Sequence, residues 1–219
     1  YNYQNWYPSA EYETSNTIKN VGLFDLTPFS KFEIKSDKAH QELQRICTAN
    51  IKKQIGTCTY THMLNTDGGI ETDLTIVCID DNHFRIISSA ATRERDKFHI
   101  KKHLSEDIEL KDVTDDYCVF GIFGPKSRSL LEKLCDQNLS NENFKFANSK
   151  YIEINGAKIW CQRLSYVGEL GFELYVDINH AKIIYELIID KGKKFNISNC
   201  GMHSLDTLRM ESGFLHWGH

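Results

Sequence analysis

Two β-rich runs, 56–64 and 70–79, face each other across Asn65-Thr66-Asp67-Gly68-Gly69. Asp-Gly and Gly-Gly supply the backbone freedom that tight turns demand, so the stretch predicts an antiparallel hairpin. Asn155-Gly156 predicts a second hairpin between 150–154 and 158–164. Further strands are read at 31–35, 83–89, 117–123 and 172–176. Single helical stretches lie among them. One covers 38–47, where Ser36-Asp37 stands ahead as a cap and Ala39, Leu43 and Ile46 share a face. Another covers 91–104, with Phe98 and Ile100 among its apolar positions. A third opens at Gly124-Pro125 and runs to about 137, since proline suits a first helical turn. Two more are read at 179–191 and 203–211. Hairpins mixed with single helices predict an α+β fold, with antiparallel sheets and helices packed on one face. Residues 1–20 show no apolar period and read as a lead-in segment to one domain over 21–219. Tyr1 is not an initiator methionine, and His219 follows a run that looks structured, so the chain reads as part of a longer polypeptide.

Composition narrows the function classes. Formal net charge is −4, and no block of Lys or Arg stands out, which disfavours a nucleic-acid partner. No apolar run approaches the ~20 residues that span a bilayer, so no membrane role is expected. The seven cysteines are odd in number, widely spaced and without a C-x-x-C pair. They read as reduced, buried thiols, and no metal site is expected. No G-x-G-x-x-G turn occurs, so a flavin would not be held here by that route.

Three places depart from a plain scaffold. Strand alternation puts Asp73, Thr75, Val77 and Ile79 on one face, and Leu74, Ile76 and Cys78 on the other. Asp73 therefore heads an apolar row just past a glycine turn. It is either an exposed strand-end residue or a carboxylate at a pocket mouth, able to orient a ligand N–H or stabilise a developing cation. In Ser165-Tyr166-Val167-Gly168-Glu169-Leu170-Gly171-Phe172-Glu173, two glycines flank Glu169 in a loop between strands. Glu169 is either solvated in a tight turn or placed to accept paired N–H bonds from an amino-heterocycle. In Asp206–Gly213, Leu205 and Leu208 face a core, Gly213 is a candidate helix cap, and Arg209 is either a surface ion-pair partner or a ligand contact.

The order of these segments resembles the folate-binding domain of the aminomethyltransferase (glycine-cleavage T-protein) family over 5–219. The resemblance is carried by Asn5-Trp6-Tyr7, by 21–32 (Val-Gly-Leu-Phe-Asp-Leu-Thr-Pro-Phe-Ser-Lys-Phe) and by Met63-Leu64-Asn65 with 68–75. It continues through Gly124-Pro125-Lys126-Ser127-Arg128, the 165–171 loop, 206–213 and His216-Trp217-Gly218. Within the family it is similar to the folate half of dimethylglycine and sarcosine dehydrogenases. Asp25-Leu26-Thr27-Pro28 stands where a T-protein reads Asp-Val-Ser-His, and Thr72-Asp73-Leu74 where it reads Asp-Asp-Leu.

The resemblance implies a tetrahydrofolate-binding, one-carbon-transferring domain. A flavin dehydrogenase domain or subunit outside this chain, carrying FAD, would oxidise an N-methyl group to an iminium. Folate would then capture the carbon as methylenetetrahydrofolate. Asp73 would lie beside the attacking nitrogens as the catalytic carboxylate. Glu169 would bind the pterin edge with Tyr166 beside it, Arg209 would lie near the folate, and Asn65 would support them. The family continues into a β-rich C-terminal domain that this chain does not include. The alternatives are an aminomethyltransferase of the glycine cleavage system and a non-catalytic regulatory relative. A bacterial cytoplasm or a mitochondrial matrix suits reduced cysteines.

Overall fold

The computed structural model describes residues 4–218. Residues 1–3 of the lead-in segment and the terminal His219 lie outside the described residues. In chain order the strands are β1 (Val21–Asp25), β2 (Ser30–Lys35), β3 (Cys58–Leu64), β4 (Ile70–Asp80), β5 (His83–Ser88), β6 (Leu110–Asp112), β7 (Tyr117–Phe123), β8 (Ser149–Ile154), β9 (Ala157–Gln162), β10 (Gly171–Asp177) and β11 (Ile197–Cys200). The helices are α1 (Tyr7–Lys19), α2 (Ala39–Ile46), α3 (Arg93–His103), α4 (Ser127–Leu131), α5 (Ala181–Gly192) and α6 (Met202–Glu211). The chain divides into two compact units, one of Tyr1–Thr27, Tyr117–Phe146 and Lys150–His219, the other of Pro28–Asp116 and Ala147–Ser149.

The first unit holds a six-stranded sheet in the order β11-β1-β7-β10-β9-β8. β1 runs parallel to β11, while the β1–β7, β7–β10 and β10–β9 pairs are antiparallel. Side-chain alternation sends Val21, Leu23, Ile122, Phe172, Leu174 and Val176 to one face, where Leu130 and Leu131 of α4 and Ile184 and Ile188 of α5 complete the core. Full burial of each such side chain contributes about 1.5–3 kcal/mol. The turn between β8 and β9 is the expected one: Asn155 and Gly156 both have positive φ, 51° and 75°, as a two-residue type I′ hairpin requires.

The second unit holds a five-stranded sheet in the order β3-β4-β5-β2-β6, antiparallel throughout. Phe32, Ile34, Leu74, Ile76, Phe84 and Ile86 form one face, covered by Ala39 and Leu43 of α2 and Ile100 and Leu104 of α3. The opposite face carries a buried ion pair. Glu33 and Arg85 stand opposite each other in register, with Nε and Nη2 of Arg85 donating to Oε1 of Glu33 at 3.1 and 2.7 Å. Burial alone would push the Glu33 carboxyl up. The His83 bond and the Arg85 charge outweigh it and hold the carboxyl at about 2.

Three local expectations change. The lead-in segment contains α1, which buries Ala10, Thr14, Asn16 and Thr17. That face is small and polar, so it leaves no hydrophobic period. It is held by bonds instead: Asn16 Nδ2 donates to Val21 O (3.2 Å), Asn196 O (2.8 Å) and Ser198 Oγ (2.8 Å). The helix expected to reach about 137 ends as α4 at Leu131, because the chain tightens into i→i+3 turns (Lys133 N to Leu130 O, Leu134 N to Leu131 O). Phe98 is 70% exposed, so only Ile100 of the pair read in that helix is a core residue.

All seven cysteines are free thiols, five of them buried. Burial pushes Cys47 up to about 12, against a bond from Thr61. No helix among the described residues is long and apolar enough to cross a membrane.

Candidate functional site

In the second unit, Asp73 lies on β4 opposite His62 of β3. Its neighbours Thr72 and Leu74 point into the core and are buried, while Asp73 itself is half-buried on the other face. The hydroxyl of Tyr60, two residues before His62, donates to Asp73 Oδ2 at 2.9 Å. Asn65 sits at the start of the hairpin turn. Its Oδ1 accepts the backbone N–H of Asp67 (3.0 Å) and Gly69 (2.9 Å), an Asx turn that fixes the β3–β4 register.

In the first unit, the loop after β9 is pinned at several points. Ser165 Oγ donates to the Glu169 carbonyl at 2.6 Å, and Ser212 Oγ at the end of α6 donates to Val167 O at 3.3 Å. Gly213 ends α6 as expected, with φ 73°. Its N–H bonds Met210 O, and the N–H of Phe214 bonds Arg209 O, which together form a Schellman cap. The turn so made brings two of the sequence candidates together. Tyr166 stacks on Phe214 (centroids 5.7 Å, 11°) and donates to Leu215 O at 2.5 Å. Arg209 Nη1 donates to Phe214 O at 3.2 Å, while its Nε and Nη2 meet Asp206 Oδ1 at 2.7 Å each. Arg209 is thus both an ion-pair partner and a clamp on the segment after α6 against which Tyr166 packs. Glu169 is half-buried in the same loop. Asp73 and Asn65 belong to the other unit.

One acidic residue, at the end of the 165–173 segment, receives no role from the sequence. Glu173 of β10 stands between Gly121 of β7 and Gln162 of β9 in register. Its neighbours Phe172 and Leu174 enter the core, so Glu173 occupies the opposite face, beside a strand position that has no side chain. Burial pushes its carboxyl up to about 7, and the Tyr175 hydroxyl, donating at 3.1 Å, pulls only partly the other way. Beyond the Tyr175 bond, such a carboxyl keeps lone pairs that adjacent N–H groups are able to meet. The signal was present in the sequence: Glu173 is the one acid in the otherwise apolar and aromatic run 172–176.

His99 and His103 stand one turn apart on α3, with ring centroids 4.4 Å apart, a spacing that metal sites use. Among the described residues no group of three or more metal-ligating side chains is gathered there or elsewhere. Burial, and then the charge of His103, keep His99 below the usual imidazole range.

The sequence model of the family described as "GCVT N-terminal domain" matches residues 1–219. Mitochondrial dimethylglycine dehydrogenase of Rattus norvegicus is 33% identical over 217 residues, covering 98% of this chain and 25% of that protein. An aminomethyltransferase of Oceanobacillus iheyensis is 31% identical over 217 residues, covering 97% of this chain and 58% of that protein. The solved structure of glycine cleavage system aminomethyltransferase T from Bartonella henselae superposes with a TM-score of 0.83 over 94% of this chain and 55% of that one, at 22% identity, and shares its fold. The chain thus spans about a quarter of the dehydrogenase and just over half of the aminomethyltransferase.

Proposed function

The chain belongs to the GCVT N-terminal domain family, and from that premise we propose that it binds tetrahydrofolate and serves as the one-carbon-transfer domain of a flavin-dependent N-methylamine dehydrogenase. Two carboxylates, each described within its own unit, support this reading. Asp73 is half-buried and hydrogen-bonded by a tyrosine, a setting suited to taking up a proton or countering positive charge. Glu173 is half-buried, with its carboxyl raised by desolvation and bonded by the Tyr175 hydroxyl, a setting suited to the paired N–H groups of a pterin edge. Tyr166, Glu169 and Arg209, gathered around the end of α6, supply the remaining folate contacts, and Asn65 supports Asp73 by fixing the hairpin register.

In the parent enzyme a flavin domain or subunit would supply the iminium, and holding the folate nitrogens against its carbon supplies rate by proximity. FAD itself would be bound outside this chain. The name of the rat relative supports the dehydrogenase branch and a mitochondrial matrix setting; a bacterial cytoplasm fits equally. Position 72 supports the branch as well. It is buried on the core face, where Thr72 is tolerated and the T-protein's aspartate would demand a partner. The second reading, an aminomethyltransferase of the glycine cleavage system, is favoured by the Oceanobacillus relative. A regulatory relative without turnover is the third.

The test is calorimetric titration of the intact gene product with tetrahydrofolate, followed by product analysis. Expected are folate binding, weakened in Glu173→Gln and Glu169→Ala, and transfer of the carbon to folate, lost in Asp73→Asn. Bound flavin and turnover of an N-methylamine select the dehydrogenase; turnover of a lipoyl-bound aminomethyl group selects the transferase. No folate binding by the folded protein overturns the proposal.

A further inference from the structure

The edge strand β3 places two side chains against Asp73. Tyr60 and His62 are two residues apart and so share a face, opposite Thr75 and Asp73 of β4. The Tyr60 hydroxyl donates to Asp73 Oδ2 at 2.9 Å and lies 3.5 Å from His62 Nε2. The two rings meet edge to face, with centroids 5.2 Å apart and planes at 77°. A phenol carries one proton, so Tyr60 can donate to the carboxylate or to the imidazole, but not to both at once. Rotation about its C–O bond switches between them with no movement of the backbone.

The surroundings leave His62 open to exchange protons with water. It is half-buried, and β3 forms the edge of its sheet. The backbone N–H of His62 donates to Thr48 Oγ1 at 3.3 Å, which anchors the strand without adding a charge. The charged groups facing it from β4 are Asp73 itself and, one step along the same face, Glu71, whose carboxylate lies 3.9 Å from Arg95 of α3.

We propose that His62 is a positioning residue for Asp73, acting through Tyr60 as the outer end of a proton relay. The proposal rests on the reading of Asp73 as the carboxylate beside the reacting nitrogens. Asp73 receives the proton that the attacking nitrogen loses as its bond to the one-carbon unit forms. That proton passes from Oδ2 to the Tyr60 oxygen, while the Tyr60 proton passes to His62 Nε2. The imidazolium returns a proton to water. The iminium π pair moves to the amine nitrogen as that nitrogen–carbon bond forms. The amine then takes a proton from water and leaves with the C–N electron pair, while a second folate nitrogen bonds the carbon and gives its proton to water. One iminium and one tetrahydrofolate thus become one amine, one methylenetetrahydrofolate and one proton.

Two readouts test this in the intact gene product. In the ligand-free protein, the ¹⁵N shifts of the His62 ring, assigned with His62→Gln, are expected to change in Tyr60→Phe, because the phenol is the partner of Nε2. Unchanged shifts overturn the relay. In single-turnover transfer to folate, His62→Gln and Tyr60→Phe are each expected to slow the step roughly tenfold, less than the loss of a direct acid–base group, with folate KM held within about twofold. The double variant is expected to be no slower than either single one, since both interrupt one chain. Multiplying effects, or a His62→Gln protein as fast as wild type while Asp73→Asn is inactive, overturn the relay and leave the Asp73 reading standing. An Asp73→Asn protein with undiminished transfer overturns both.

Discussion

Gly168 lies so close to Ser212 that a Cβ on the glycine would sit 2.0 Å from the serine Oγ. Gly168 also has φ 75°, a region costly to residues with a Cβ. The loop bearing Tyr166 and Glu169 therefore seats on the end of α6 only because position 168 has no side chain. Gly168→Ala is expected to destabilise the protein by about 2–4 kcal/mol, from steric displacement plus backbone strain, and to weaken folate binding. Ser212→Ala in the same protein removes the clashing oxygen and should recover part of the stability, read by denaturant midpoint. Wild-type stability in Gly168→Ala would contradict this packing.

Glu173 makes ligand affinity depend on pH. Its carboxyl sits near 7 in the ligand-free protein, and a ligand offering N–H donors prefers the ionised form. Folate affinity should therefore be flat above about pH 7 and fall below it, approaching tenfold per pH unit. Glu173→Gln should abolish that slope and bind roughly 10- to 100-fold more weakly at pH 8, the loss expected for charge-assisted hydrogen bonds. Calorimetry from pH 5.5 to 8.5 checks both; a wild-type affinity without slope would remove Glu173 from the site.

The Glu33–Arg85 pair makes stability depend on acid. Glu33 is depressed from 4.5 to about 2 in the folded state. A depressed carboxyl stabilises the fold fully above its unfolded value and loses that contribution as pH falls through the folded one. The window is therefore about pH 4.5 down to 2, and the contribution is on the order of 3 kcal/mol. Arg85→Met leaves Glu33 buried with only its His83 bond and should cost about 3–5 kcal/mol at pH 7. Part of that cost should be recovered as pH falls and Glu33 protonates. Urea denaturation at several pH values reads this directly; a cost independent of pH would assign the loss to packing alone.

Asn16 holds α1 through one amide nitrogen and three acceptors. Asn16→Ala removes the donor shared by the Val21 and Asn196 carbonyls, and a loss of about 2–4 kcal/mol is expected. Hydrogen exchange should show α1 and β11 opening first. An Asn16→Leu protein as stable as wild type would mean that this face tolerates an ordinary apolar contact.

Much of the fold could be read from local chemistry, because turns and caps depend on a few residues in a row. The hairpins at 65–69 and 155–156, the Gly213 cap and the alternating burial of 72–76 in β4 follow from backbone requirements that only certain residues meet. The family followed likewise from motifs in order along the chain. Other features rest on contacts between residues distant in sequence. The burial of α1 uses Asn16 and Thr17, whose partners Asn196, Ser198 and Cys200 lie about 180 residues away in and just before β11, so no apolar period announces it. Arg209 read as an ion-pair partner or ligand contact near a helix end, and its grip on the Phe214 carbonyl exists only once the Schellman turn has formed. Glu173 looked like one polar position in a strand. Its altered acidity arises because β7 and β9 enclose it, and desolvation by neighbouring strands is a property of the assembled sheet that no stretch of sequence contains.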